Sequence, residues 1–126
     1  MILLVDDDSQ VRATIGRGLV ELGYVVREAE SGHAALAIVA EERPHLVILD
    51  YRMPGLDGAE TARELARLEP DLPIIFSTGH AALRAMRNAA GEGVPVLEKP
   101  FSLAELDDLI KETLAEARKV RSASTG

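Results

Sequence analysis

The chain has no cysteine and no tryptophan, which excludes a disulfide framework and any thiolate metal site. A cysteine-free sequence suits a reducing compartment, and a cytoplasmic location is expected. Aromatic residues make up only 3% of the 126 residues, so the core must be built from Leu, Ile, Val and Ala. No apolar run approaches the roughly 20 residues of a membrane-spanning helix, and no membrane insertion is expected. The opening apolar stretch, Ile2–Val5, has no charged lead-in and ends in three aspartates, unlike a signal peptide. Positive charge is scarce too. With 14 basic against 21 acidic residues the net charge is -7, and the basic footprint needed for direct nucleic-acid binding is missing.

What is present is a repeating alternation of strands and helices. Hydrophobic residues reach 47%, enough for one compact domain, expected over residues 1–118 with a frayed Ser-rich tail over 119–126. Five short apolar runs stand out: Ile2–Val5, Tyr24–Val26, Leu46–Leu49, Ile74–Phe76 and Val94–Leu97. They are continuous rather than alternating, as in parallel strands buried on both faces. Helical spacing fills the intervals. Val11, Ile15, Leu19 and Leu22 share one face between a cap at Ser9 and a stop at Gly23. Further helices end at Pro44 and Pro70, and an Ala-rich one is expected from about Ala81 to Ala90. In the last, Ser102 and Glu105 form a capping box, with Leu103, Leu106, Ile110 and Leu114 on one face. The pattern predicts an α/β fold, a doubly wound five-stranded parallel sheet. Ligands in such folds sit at the carboxyl ends of the strands, where strand order reverses.

That rim collects the reactive side chains. Asp6, Asp7 and Asp8 follow the first run, Asp50 the third, Thr78 the fourth and Lys99 the fifth. Each alone has an ordinary explanation: aspartates cap helices, Thr-Gly makes turns, and lysines are solvated. Their joint placement is the signal. Two carboxylates about 4 Å apart repel by about 4 kcal/mol at an effective dielectric of roughly 20, so the cluster calls for a cation. Oxygen donors without Cys or His favour magnesium or calcium over zinc. A carboxylate nucleophile, a metal, a hydroxyl and a lysine together make a phosphoryl-transfer site that forms an aspartyl-phosphate.

The segments LLVDDD, VILDYRMPGLDG, FSTG and EKPF, in this order, resemble the signature blocks of the response-regulator receiver family. The resemblance runs from Ile2 to about Ala117. It implies a flavodoxin-like (βα)5 fold with strand order 2-1-3-4-5, and a switch that accepts a phosphoryl group from a phosphohistidine donor. It implies Mg2+ held by Asp6, Asp7, Asp50 and the backbone carbonyl of Arg52. Asp50 is then the phospho-acceptor, Thr78 the switch hydroxyl, and Lys99 the partner of the phosphoryl oxygens, resting on Asp50 beforehand. Lys99-Pro100 matches a bond the family holds cis, and Asp8 falls outside the metal pair as a cap. The implied partners are a histidine kinase or a histidine phosphotransfer protein, and the protein is expected to be a switch rather than an enzyme with turnover. It is expected to be free-standing or cut from a larger protein, with the Thr-Gly-His context tilting toward a hybrid kinase.

Some features depart from the family pattern or lie outside it. Val96 stands where an aromatic is frequent, three residues before Lys99. The stretch between Thr78 and Lys99 is short and glycine-rich at its end. Met53-Pro54-Gly55 and Asp57-Gly58 read as a turn into the third helix. His33, His45 and His80 have no ligand spacing. Two rival readings remain. A haloacid-dehalogenase-like phosphatase would put the nucleophile directly after the first strand, in an Asp-x-Asp-x-Thr/Val pattern that this chain does not complete. A non-catalytic flavodoxin-like module would carry a glycine-rich phosphate loop or lack the acceptor; the first turn here holds aspartates instead.

Overall fold

The structure is a computed structural model and describes residues 1–53, 55, 57–79 and 95–125, with side chains through 119. Five strands form one sheet: β1 (Ile2–Val5), β2 (Val26–Ala29), β3 (Leu46–Asp50), β4 (Ile74–Gly79) and β5 (Val96–Lys99). Four helices are described: α1 (Ser9–Glu21), α2 (Gly32–Glu41), α3 (Gly58–Leu68) and α4 (Leu103–Thr125). The helix expected near residues 81–90, together with His80, lies outside the described residues. All strand pairs are parallel and the order is β2-β1-β3-β4-β5. The reversal of order therefore falls between β1 and β3, and the expected topology is observed.

The continuous apolar runs of β1 and β3 follow from burial on both faces. Leu3, Val5, Val47 and Leu49 point to one side, against Ala35 and Val39 of α2 and Leu65 of α3. Ile2, Leu4, Leu46 and Ile48 point to the other, against Ile15 and Leu19 of α1 and Leu106 and Ile110 of α4. Each fully buried Leu or Ile contributes roughly 1.5–3 kcal/mol relative to exposure, so these two layers hold the central strands in place. The capping box starts α4: Glu105 N donates to Ser102 Oγ at 3.1 Å, and Ser102 Oγ donates to Glu105 at 3.2 Å. Tyr24 Oη donates to Asp107 at 2.8 Å and ties the α1–β2 turn to α4.

Several boundaries differ from the sequence reading. The second strand is Val26–Ala29, not Tyr24–Val26. It is an edge strand, so its polar Arg27 and Glu28 break the apolar signal while Val25 is exposed in the turn. β4 extends to Gly79 and β5 to Lys99, taking in the polar residues that had read as following the strands. Of the two capping candidates Asp8, expected as a cap outside the metal pair, and not Ser9 caps α1, accepting from the amides of Gln10 and Val11. Helical backbone continues through residues 119–125. Among the described residues, no helix is long and apolar enough to cross a membrane.

Candidate functional site

The carboxyl ends of β1 and β3 bring the acidic residues together. Val5 pairs with Leu49 in register, so Asp6 and Asp50 occupy the next position side by side. Both are buried, whereas Asp7 is exposed. Ligand oxygens of Asp6, Asp7 and Asp50 all lie within 4.8 Å of one another. Lys99, the last residue of β5, reaches across the rim. Its Nζ donates to Asp6 Oδ2 at 3.1 Å and stands 3.6 Å from Asp50 Oδ1. Lys99 therefore pairs with Asp50, the resting partner the sequence suggested, and more closely with Asp6. Asp50 Oδ1 also accepts from the Arg52 amide at 3.4 Å.

Burial pushes the Asp50 carboxyl up, to about 6. Lys99 opposes the shift, Asp6 adds to it, the Arg52 amide opposes it, and Asp7 adds a smaller increment. The lysine charge thus falls short of offsetting desolvation and like-charge repulsion. A divalent cation would supply the missing compensation. Three converging carboxylates with only oxygen donors fit a hard ion such as Mg2+.

The remaining predicted residues sit on the same rim but are less closely joined. Thr78 is buried at the end of β4, and its side-chain hydroxyl donates to the Gly79 carbonyl over a long 3.4 Å. Arg52 turns its amide toward Asp50 while its side chain is exposed. Asp8 belongs to the cap of α1, and its amide donates to Asp6 Oδ1 at 2.9 Å. The Lys99-Pro100 bond is cis. Val96 packs against the core layer that holds Phe76, and Phe76 meets Tyr51 edge-on with centroids 5.7 Å apart.

Two residues that support the site escaped the sequence reading of the chemistry. Gly58 opens α3 directly against the end of β3. A Cβ there would lie 2.5 Å from the Asp50 carbonyl oxygen and 2.6 Å from Tyr51 Cα. Asp57 caps the same helix end through the Glu60 amide. The turn into α3 was recognisable from Asp-Gly, but the close approach to Asp50 was not. Arg12 is the other. It donates to the Asp6 carbonyl at 2.7 Å and pairs with Glu28 at 3.1 Å. Only the β1–β2 register reveals that contact.

Comparison with known proteins agrees with this geometry. Residues 2–111 match the family model described as response regulator receiver domain. Response regulator MprA of Mycolicibacterium vanbaalenii is 42% identical over 106 residues, covering 83% of this chain and 46% of that protein. DNA-binding transcriptional regulator NtrC of Salmonella typhimurium is 33% identical over 116 residues, 91% of this chain and 25% of that protein. The chain thus spans half or less of these relatives' length. The receiver domain of NtrX from Brucella abortus superposes with a TM-score of 0.85 at 30% identity, covering 91% of this chain and 98% of that one. On the strength of the matched span, the fold and the rim it builds, the chain belongs to the response regulator receiver domain family of two-component signalling.

Proposed function

We propose that this receiver domain accepts a phosphoryl group on Asp50 from a phosphohistidine donor and later loses it to water. The observation that carries the reading is the placement of Asp50, buried at the end of the central strand, with two further carboxylates and the Lys99 amine around it. An Asp50 oxygen attacks phosphorus as the P–N bond of the donor breaks, and its electron pair returns to the imidazole nitrogen. Asp6, Asp7, Asp50 and the Arg52 carbonyl would hold Mg2+. The ion would neutralise charge on the phosphoryl oxygens as they meet the carboxylate. Lys99 is already within reach of Asp50 and would turn from the aspartates to the new phosphoryl oxygens. Thr78, at the end of the adjacent strand, offers the hydroxyl that would follow it. Hydrolysis restores the carboxylate and releases inorganic phosphate.

The donor is proposed to be a histidine kinase or a histidine phosphotransfer protein. The excess of acidic residues gives the domain no electrostatic hold on nucleic acid, and no direct DNA contact is proposed for it. A cytoplasmic location fits such a donor. The test is mass spectrometry after incubation with acetyl phosphate and Mg2+. A single phosphate on Asp50, absent from Asp50→Asn, is expected. Phosphate on Asp6 or Asp8 instead would overturn the assignment in favour of the phosphatase reading.

A further inference from the structure

The main chain leaves the sheet at Asp6, and it is held there by a side chain. The Asp6 amide still donates to the Ala29 carbonyl of β2, at 3.1 Å. The Asp6 carbonyl, one step past the β1–β2 ladder, accepts instead from Arg12 Nη1 at 2.7 Å. Arg12 stands in the first turn of α1, and its Nε pairs with Glu28 of β2 at 3.1 Å. The arginine side chain is 17% exposed against 45% for Glu28, so the brace is half-buried on its carbonyl side and open to solvent at Glu28. Gly16, one turn further along α1, makes room for the Glu28 carboxylate. A Cβ at Gly16 would come within 3.2 Å of Glu28 Oε2.

We propose that Arg12 is a positioning residue of the acidic site. It fixes the peptide between Asp6 and Asp7 so that both carboxylates converge on the cation position. The peptide unit is planar, so holding its carbonyl oxygen also sets the direction of the Asp7 amide. On the other side, Asp8 is fixed as the cap of α1 and by its amide bond to Asp6 Oδ1. Asp7 is exposed, yet its backbone is held at both ends. Repulsion from Asp6 and Asp50 drives the turn to open, and the brace opposes that relaxation. An arginine suits the position because its rigid, planar fork reaches a carbonyl and a carboxylate from two different nitrogens.

This inference rests on the reading that the three aspartates hold a divalent cation. Its test is calorimetric titration of Mg2+ into the chain, Arg12→Ala and Glu28→Gln, with circular dichroism and thermal melting in chelator to establish folding. Arg12→Ala should bind Mg2+ about tenfold more weakly, as loss of an outer support typically does, and Glu28→Gln should show a smaller loss. Labelling of Arg12→Ala by acetyl phosphate should return to the wild-type rate once Mg2+ is saturating. A folded Arg12→Ala whose affinity stays within twofold of wild type overturns the proposal, since a purely structural brace would lower Tm alone. Should Arg12→Ala fail to fold, an unchanged affinity in Glu28→Gln overturns it. Absence of Mg2+ binding by the wild-type chain would remove the acidic-site reading itself, and that result is visible before any variant is made.

Discussion

Asp50 pays for its function with its own solvation. Its carboxyl titrates near about 6, above the ordinary carboxylate range, chiefly because it is buried. The folded state therefore binds more protons than the unfolded chain between about pH 4 and 6. The associated stability is fully present below about pH 4 and is lost as pH rises through 6. In chelator, Asp50→Asn should be more stable than wild type at pH 7 by on the order of 1–2 kcal/mol, the full shift being discounted because water reaches the cluster at Asp7. The difference should vanish near pH 4. Urea titrations at the two pH values measure it, and an equal gain at both would disprove the electrostatic origin. Lys99→Ala should act in the opposite sense at pH 7. It removes the cation that contacts both Asp6 and Asp50, so the apo protein loses stability and the Asp50 titration followed by NMR moves further up. At this scale the sequence was largely legible. Asp6, Asp7, Asp50 and Lys99 stand out because each ends an apolar run. Arg12 does not, because its meaning depends on a carbonyl six positions back and a carboxylate on a neighbouring strand.

Among the elements, two helices carry a glycine where an added Cβ would meet a neighbour, with different consequences. At Gly58 the neighbours are backbone atoms of Asp50 and Tyr51, at 2.5 to 2.7 Å from an added Cβ. Backbone at the end of a central strand has nowhere to go. Gly58→Ala should cost about 3 kcal/mol and displace Asp50, lowering the rate of acetyl phosphate labelling as well. At Gly18 the added Cβ would clash with Leu103 Cδ2. That atom ends a flexible, 41% exposed side chain, so Gly18→Ala should be nearly neutral, because better helix propensity offsets the shift of Leu103. Denaturant curves for both variants check the contrast, and equal losses would contradict it. Element boundaries were read less well than element order, for a physical reason. Ser77, Thr78, Glu98 and Lys99 are strand residues, so the strands end in polar side chains and the apolar signal stops early. In β2 the edge position does the same through Arg27 and Glu28.

At the scale of the whole molecule, the sheet carries the acidic rim on its most rigid part. The two core layers clamp β1 and β3 from both faces, so the carboxylates of Asp6 and Asp50 cannot separate without disturbing the centre of the fold. Their repulsion is thereby coupled to global stability. A ligand that binds the folded rim and not the unfolded chain must stabilise the whole domain. For Mg2+ at a hundredfold excess over Kd, mass action gives about 2.7 kcal/mol, on the order of 10 °C in Tm for a domain of this length. Metal binding requires ionised carboxylates, and burial pushes the Asp50 carboxyl up to about 6. The Mg2+-dependent rise in Tm should therefore be large at pH 8 and shrink steadily toward pH 5, where protons compete for the same oxygens. Replacing Asp50 with Asn should shrink the rise at pH 8 and remove most of its pH dependence between 5 and 8. Thermal melts with and without Mg2+ across that range read the effect directly. A rise in Tm that is independent of pH in the wild-type chain would place the ion elsewhere on the acidic surface, away from Asp50.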